Sequence, residues 1–225
     1  VDDTVDDGGG DGTRTPDVSR VLDSVVIGAG QAGLSASYHL GRLGLDHLVL
    51  DADRRPGGAW QHRWDSLTMD DVHGVADLPD DPAPGRGRER ANDVIPRWFA
   101  DYERRHDLPV LRPVRVDAVR SAGELLVVEA GDQSWRTRTL VNATGTWSRP
   151  FVPHYPGIGD FAGEQFHTSD YPGLDRLRGR RVLVVGGGAS AVQFLGRSRP
   201  SPPPCGSPGA SPSGSARRTG WTAGR

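Results

Sequence analysis

The chain has 225 residues, 29 of them acidic and 27 basic, for a net charge of −2, so neither a nucleic acid nor an anionic membrane finds a charged surface to grip. Only 35% of the residues are hydrophobic, no apolar run approaches the ~20 residues that cross a bilayer, and the length suits one full domain and part of another. All 27 basic residues are arginine and the only cysteine is Cys205, which excludes a P-loop lysine, a lysine Schiff base, an internal disulfide and a CxxC redox pair. This composition predicts a cytoplasmic protein with no nucleic-acid or membrane partner; it says nothing of oligomeric state.

Residues 1–22 are acidic and Gly-rich and read as a disordered leader. Ser24 to Ile27 is a short apolar strand. Gln31 to Leu43 carries Leu34, Tyr38, Leu40 and Leu43 at near-helical spacing, with Gly44 as a natural stop. His47 to Leu50 is the next strand, so the segment predicts a right-handed β-α-β unit. Between its first strand and helix lies Gly28-Ala29-Gly30-Gln31-Ala32-Gly33. In such a turn Gly28 permits the tight bend, Gly30 leaves a diphosphate room to approach, and Gly33 lets the helix close on the sheet. The N–H groups at the helix start then face the phosphates. Asp51 stands at the end of the second strand, where an acid accepts from ribose hydroxyls. In this order the residues predict a dinucleotide site.

Residues 54–91 are irregular and Pro-rich. Asp70, Asp71, Asp77, Asp80 and Asp81 fall there without His or Cys at ligand spacing, so no metal site is predicted. A helix is expected from Asp93 to His106, with Pro96 tolerated in its first turn. Three strands near 112–119, 124–130 and 135–141, turned at Gly123 and Gly131-Asp132, predict an antiparallel meander. Leu140 to Ala143 then leads into Thr144-Gly145. A mixed stretch, 147–179, ends in Arg176, Arg178, Arg180 and Arg181, a solvated loop or a phosphate lure. A strand is expected over Arg181 to Val185, running into a second glycine turn with Gly186, Gly188, Ser190 and Ala191. The helix it opens stops after about two turns. Residues 197–225 are mostly Ser, Pro, Gly, Ala and Arg and predict a disordered tail, of the composition that a shifted reading frame in GC-rich DNA or an artificial truncation gives.

Further motifs make the pattern specific. Gly57-Gly58-Ala59-Trp60 follows the acid, Ala143-Thr144-Gly145-Thr146 marks a strand-to-loop return, and Phe161, Gly163, His167 and Tyr171 fit FxGxxxHxxxY. Over residues 23–195 the chain resembles the flavin-dependent monooxygenases of the flavin-containing and Baeyer–Villiger group. Tyr171 stands where the Baeyer–Villiger form prefers Trp, which leans toward the N- or S-oxidising members. The resemblance implies an α/β, two-dinucleotide-binding-domain flavoprotein: a Rossmann-like FAD domain over 23–175 with the β-meander inserted, then the start of an incomplete Rossmann-like NAD(P) domain over 176–196. It implies FAD held by Gly28, Gly30, Gln31, Ala32, Gly33, Asp51, Gly57, Gly58, Trp60, Thr144 and Gly145, and NADPH or NADH at Gly186, Gly188, Ser190 and Ala191. NADPH would reduce the flavin, and a flavin hydroperoxide would oxygenate a small-molecule substrate; no catalytic side chain is singled out. A thioredoxin-reductase-type enzyme shares both turns but needs a cysteine pair. A non-catalytic FAD-binding remnant is the other alternative.

Overall fold

Strand β1, Val21–Ile27, is the central strand of the sheet. It starts three residues earlier than the apolar run predicts, because Val21 and Leu22 pair with Arg136 and Thr137. The computed structural model describes residues 20–72 and 75–198; of the leader expected over 1–22 and the tail expected over 197–225, residues 1–19 and 199–225 lie outside the described residues, while 21–22 belong to β1 and 197–198 to the last helix. The chain divides into two units, residues 1–183 and 184–225.

In the first unit β1 leads through the glycine turn into helix α1, Gln31–Arg42, and then strand β2, His47–Leu50. Helix α2 is Ala91–Arg105 and strand β3 Val110–Leu111. Strands β4, Ala118–Ala122, β5, Leu125–Ala130, and β6, Gln133–Asn142, complete a six-stranded sheet of order β3-β2-β1-β6-β5-β4. The β3-β2-β1-β6 half is parallel and the β6-β5-β4 half antiparallel.

Three expectations within residues 91–142 need correction. The run over 112–119 is not one strand: Pro113 has no N–H to give a ladder, so the pairing stops at Leu111 and resumes at Ala118. The last meander strand and the strand before Thr144 are one ten-residue strand, β6, since neither Gly nor Pro interrupts 133–142. The meander thus continues the parallel half of the sheet. Helix α2 begins at Ala91, whose N–H donates to Leu67 O at 2.8 Å, so Pro96 falls in the second turn. Its ring faces Gly57, where a Cβ would come within 2.8 Å of it.

Alternation along the strands splits the core between two faces. Val26 and Val49 pack with Leu34, Ile95, Phe99 and Tyr102 beneath α1 and α2. Val25 and Leu50 face the other way, with Val128 and Trp135 from the meander. Leu34 and Phe99 are fully buried, each contributing about 1.5–3 kcal/mol relative to an exposed side chain. After β6 the unit holds short turns of helix at Ile158–Asp160 and α3, Leu174–Leu177.

In the second unit the described residues are 184–198, with α4, Ala189–Ser198. The strand expected over 181–185 does not form. A strand needs a ladder partner; none pairs with these residues among those described, and Leu183 and Val185 are 84% and 70% exposed. The turn before α4 is nonetheless glycine-shaped: Gly186 has φ 129°, and Ala191 and Val192 N–H donate to Gly188 O.

Candidate functional site

The first glycine turn leaves β1 at the C-terminal edge of the parallel strands, where open α/β sheets bind ligands. Gly28 N–H donates to Leu50 O at 2.8 Å, and its φ of 99° suits glycine. A Cβ on Gly28 would lie 2.5 Å from Ala143 O, and one on Gly33 would lie 1.8 Å from Gly28 O. These two glycines are therefore demanded by packing. Gly30 is different: a Cβ there would meet nothing within 4 Å. The packing of the protein does not explain that glycine; a close-lying ligand would.

Helix α1 opens without a side-chain cap and without an acid in its first turn. Its first intrahelical bond to the turn is Leu34 N–H to Gly30 O, 2.9 Å. Among the described residues no acceptor meets the N–H groups of Gln31, Ala32 and Gly33, which with the positive end of the helix dipole are the groups that could receive an anion. The Gln31 side chain itself is committed elsewhere, donating to Ala76 O.

Two other loops converge on the turn. Gly57 and Gly58 both have positive φ, and a Cβ on Gly58 would lie 2.9 Å from Gly30 Cα. A helical turn, Gly58–His62, follows. Trp60 and Trp64 pack against the larger core cluster. From β6 comes Ala143, then Thr144, whose N–H and hydroxyl both donate to Asn142 Oδ1, and Gly145 at φ 62°.

Asp51 is buried at 6% exposure. Its backbone is clamped by the segment after β3: its N–H donates to Leu111 O (3.0 Å) and its O accepts from Val114 N–H (2.7 Å). Asp51 Oδ2 accepts from Arg112 Nε at 2.9 Å, and both terminal nitrogens of Arg112 donate to Glu103 at 2.7 Å. Sequence reasoning missed Arg112 and Glu103, since a register between distant strands joins them to Asp51. It also missed Arg63, whose guanidinium lies 5.4 Å from the Trp60 ring and 4.5 Å from the Trp147 ring. Arg63 ties the two convergent loops together by cation–π contacts. Burial pulls its pKa down, and its Nε is buried without a partner among the described residues.

The FxGxxxHxxxY residues have local roles. The Phe161 ring folds over Gly163, where a Cβ would be 2.5 Å from it. His167 Nδ1 accepts from Ser169 N–H (3.2 Å), so its ring proton sits on Nε2, while His167 N–H donates to Asp170 Oδ1 (2.6 Å). Tyr171 meets Trp64 edge-on, centroids 5.5 Å apart, which links this segment to the loop after Gly58. Arg176 and Arg178 pair with Glu164 and Asp175. Gly186, Gly188, Ser190 and Ala191 belong to the second unit. A concavity of about 750 Å³ lies elsewhere, lined by Ser35, Tyr38, Arg42 and Asp80. It is open, and Tyr38 and Asp80 there bond to each other.

An open mixed sheet whose parallel half begins with a strand running into an uncapped, glycine-lined helix start is the architecture of a dinucleotide-binding flavoprotein. A family model described as pyridine nucleotide-disulphide oxidoreductase matches residues 25–195, and the chain belongs to that family. Its similarities lie on the flavin-monooxygenase side of it. The chain is 44% identical to a flavin-containing monooxygenase from Stenotrophomonas maltophilia, with a TM-score of 0.72 over 78% of this chain and 54% of that one. It is 31% identical over 204 residues to the indole-3-pyruvate monooxygenase YUCCA4 of Oryza sativa subsp. japonica, covering 81% of this chain and 46% of that protein. OTEMO, crystallised with FAD and NADP, superposes with a TM-score of 0.56 at 25% identity, over 79% of this chain and 37% of that one. The chain spans about half the length of the curated relatives it matches first. No helix among the described residues is long and apolar enough to cross a membrane.

Proposed function

We propose that this chain is the flavin-holding part of an FAD-dependent, NAD(P)H-linked monooxygenase acting on a small organic substrate. The observation that carries the reading is the vacant space at Gly30, set between two glycines that packing alone demands. The free N–H groups of Gln31, Ala32 and Gly33 would hold the diphosphate, and Asp51 would accept from the ribose hydroxyls. Gly57, Gly58, Thr144 and Gly145 would let two loops pass close to the rest of the cofactor, with Trp60 backing the first of them. When bound, FAD supplies two-electron chemistry between a reduced nicotinamide and oxygen. The chain's own residues bind it, orient it and shield it from water. His167 and Tyr171 hold the segment that leads from this site toward the second turn.

The second turn, Gly186 to Ala191, is read as a nicotinamide-nucleotide turn, and the lack of a strand over 181–185 supports an incomplete site there. NADPH is the favoured reductant because OTEMO was crystallised with NADP. A cytoplasmic location goes with this reading, since reduced nicotinamide nucleotides are kept inside cells. The test is a visible spectrum of the purified chain with FAD, first alone and then with NADPH under nitrogen. The expected result is a yellow protein bleached by dithionite but not by stoichiometric NADPH. A chain that takes up no flavin refutes the cofactor assignment; prompt bleaching by NADPH refutes the incomplete second site.

A further inference from the structure

We infer that Arg112, aimed by Glu103, positions Asp51 to read an unphosphorylated adenosine ribose, so that helix α2 takes part in nucleotide recognition. The inference rests on the flavin reading above.

Strands β2 and β3 are parallel, with Val49 opposite Val110 and Leu50 opposite Leu111. The next residues in that register are Asp51 and Arg112. Each leaves its strand at the edge where ligands gather, and the backbone bonds from Leu111 O and Val114 N–H fix Asp51 between them. Glu103 comes from the last turns of α2. Its two oxygens take both terminal nitrogens of Arg112 at 2.7 Å, a fork-to-fork pairing that fixes the guanidinium plane. Only Nε is then turned to Asp51, at 2.9 Å from Oδ2. The three side chains are 8%, 11% and 12% exposed for Asp51, Arg112 and Glu103.

Two carboxylates share one cation in this cluster, leaving one negative charge in excess. A buried charge of this kind needs further donors. Asp51 Oδ1 has only the Asp53 N–H at 3.4 Å, too long for a full hydrogen bond. This weakly engaged acceptor suits a hydroxyl donor. It repels a phosphate, which brings negative charge and accepts rather than donates. Burial alone would lower the Arg112 pKa, but the two carboxylates raise it above the ordinary arginine value, so the central cation stays charged.

A purely structural role would make the same residues a brace between α2 and the sheet. Ligand discrimination separates the two. Calorimetric titration of the 225-residue chain with ADP, 2′-deoxy-ADP and the 2′-phosphorylated analogue of ADP reads it directly. The wild-type chain is expected to prefer ADP to either analogue by about tenfold, the worth of one hydrogen bond to a charged acceptor. In Arg112→Lys and Asp51→Asn that preference for ADP over 2′-deoxy-ADP collapses to within about twofold. Glu103→Gln keeps the arginine but loosens its aim, and lowers the preference to roughly threefold. If the Arg112 variant does not fold, Glu103→Gln decides. Variants that bind ADP and 2′-deoxy-ADP more weakly but in the wild-type ratio overturn the inference and leave the flavin reading standing. A wild-type chain that binds the 2′-phosphorylated analogue as well as ADP also overturns it. A wild-type chain that binds neither FAD nor ADP overturns both.

Discussion

Substituting alanine at two neighbouring glycines, Gly30 and Gly33, separates what the fold needs from what the ligand needs. At Gly33 the new Cβ would sit 1.8 Å from Gly28 O, against 3.4 Å for an ordinary contact. The start of α1 must then move by more than an ångström from the end of β1, straining the Gly28 to Leu50 hydrogen bond. Overpacking of that size costs about 3 kcal/mol or more, or roughly 6–12 °C in Tm for a domain of this length. Gly30 has φ −81° and ψ −173°, which alanine adopts freely, and its Cβ would meet no atom. Gly30→Ala is expected to leave the ligand-free stability unchanged or to raise it by about 0.5 kcal/mol through the unfolded state. The same methyl group would stand where the diphosphate must approach, weakening FAD at least about a hundredfold. Thermal unfolding without flavin and fluorescence titration with FAD give the two numbers. Wild-type FAD affinity in Gly30→Ala, or an equal loss of stability in both variants, refutes the reasoning.

Gly41 lies exposed within α1, and a Cβ there makes only an ordinary 3.8 Å contact with His47; Gly41→Ala is expected to stabilise the protein by about 0.5–1 kcal/mol in urea, and a neutral or negative result counts against the helix assignment. The buried Ser37 hydroxyl donates to His47 Nε2 at 2.8 Å, the other ring nitrogen being turned to Leu45 O. Ser37→Ala strands that nitrogen and is expected to cost about 1–3 kcal/mol; a loss well under 1 kcal/mol means that the bond is not formed. Burial of Asp81 favours its neutral acid, yet hydrogen bonds from Arg105 and Trp98 outweigh this and hold its carboxyl below the ordinary range. A lowered folded-state pKa gives stability that is present above the unfolded value of about 3.9 and is lost as pH falls through the folded one. Urea midpoints of Asp81→Asn measured between neutral and strongly acid pH are therefore expected to fall less than those of the wild type; a parallel decline removes Asp81 from the acid transition.

What could be read from the chain beforehand was whatever is local. Leu34 and Tyr38 recur on one face of a helix, the three glycines fall within six residues, and Asp51 ends the next apolar run. Each signal lies within a few turns of chain, so β1, α1, β2 and the nucleotide turn follow from spacing. The partners of those residues do not. Arg112 and Glu103 reach Asp51 only because β3 lies in parallel register with β2, and nothing in Leu111-Arg112-Pro113 announces that register. Arg63 looks like any surface arginine until Trp60 and Trp147 close on it. The apolar run Val182 to Val185 reads as a buried strand by composition, yet a strand depends on a neighbour that composition cannot supply.

Strand β6 has a consequence for how the protein is made. The Gly28 bend leans on the carbonyl of Ala143, and β1 is bordered on one side by β6. During synthesis the N-terminal motif emerges early, but one long edge of β1 stays bare until residues 133–142 have cleared the ribosome. The glycine turn is thereby completed only after Ala143 has emerged, and a nascent chain stalled before that point would leave the β1 edge open to chaperones or to aggregation.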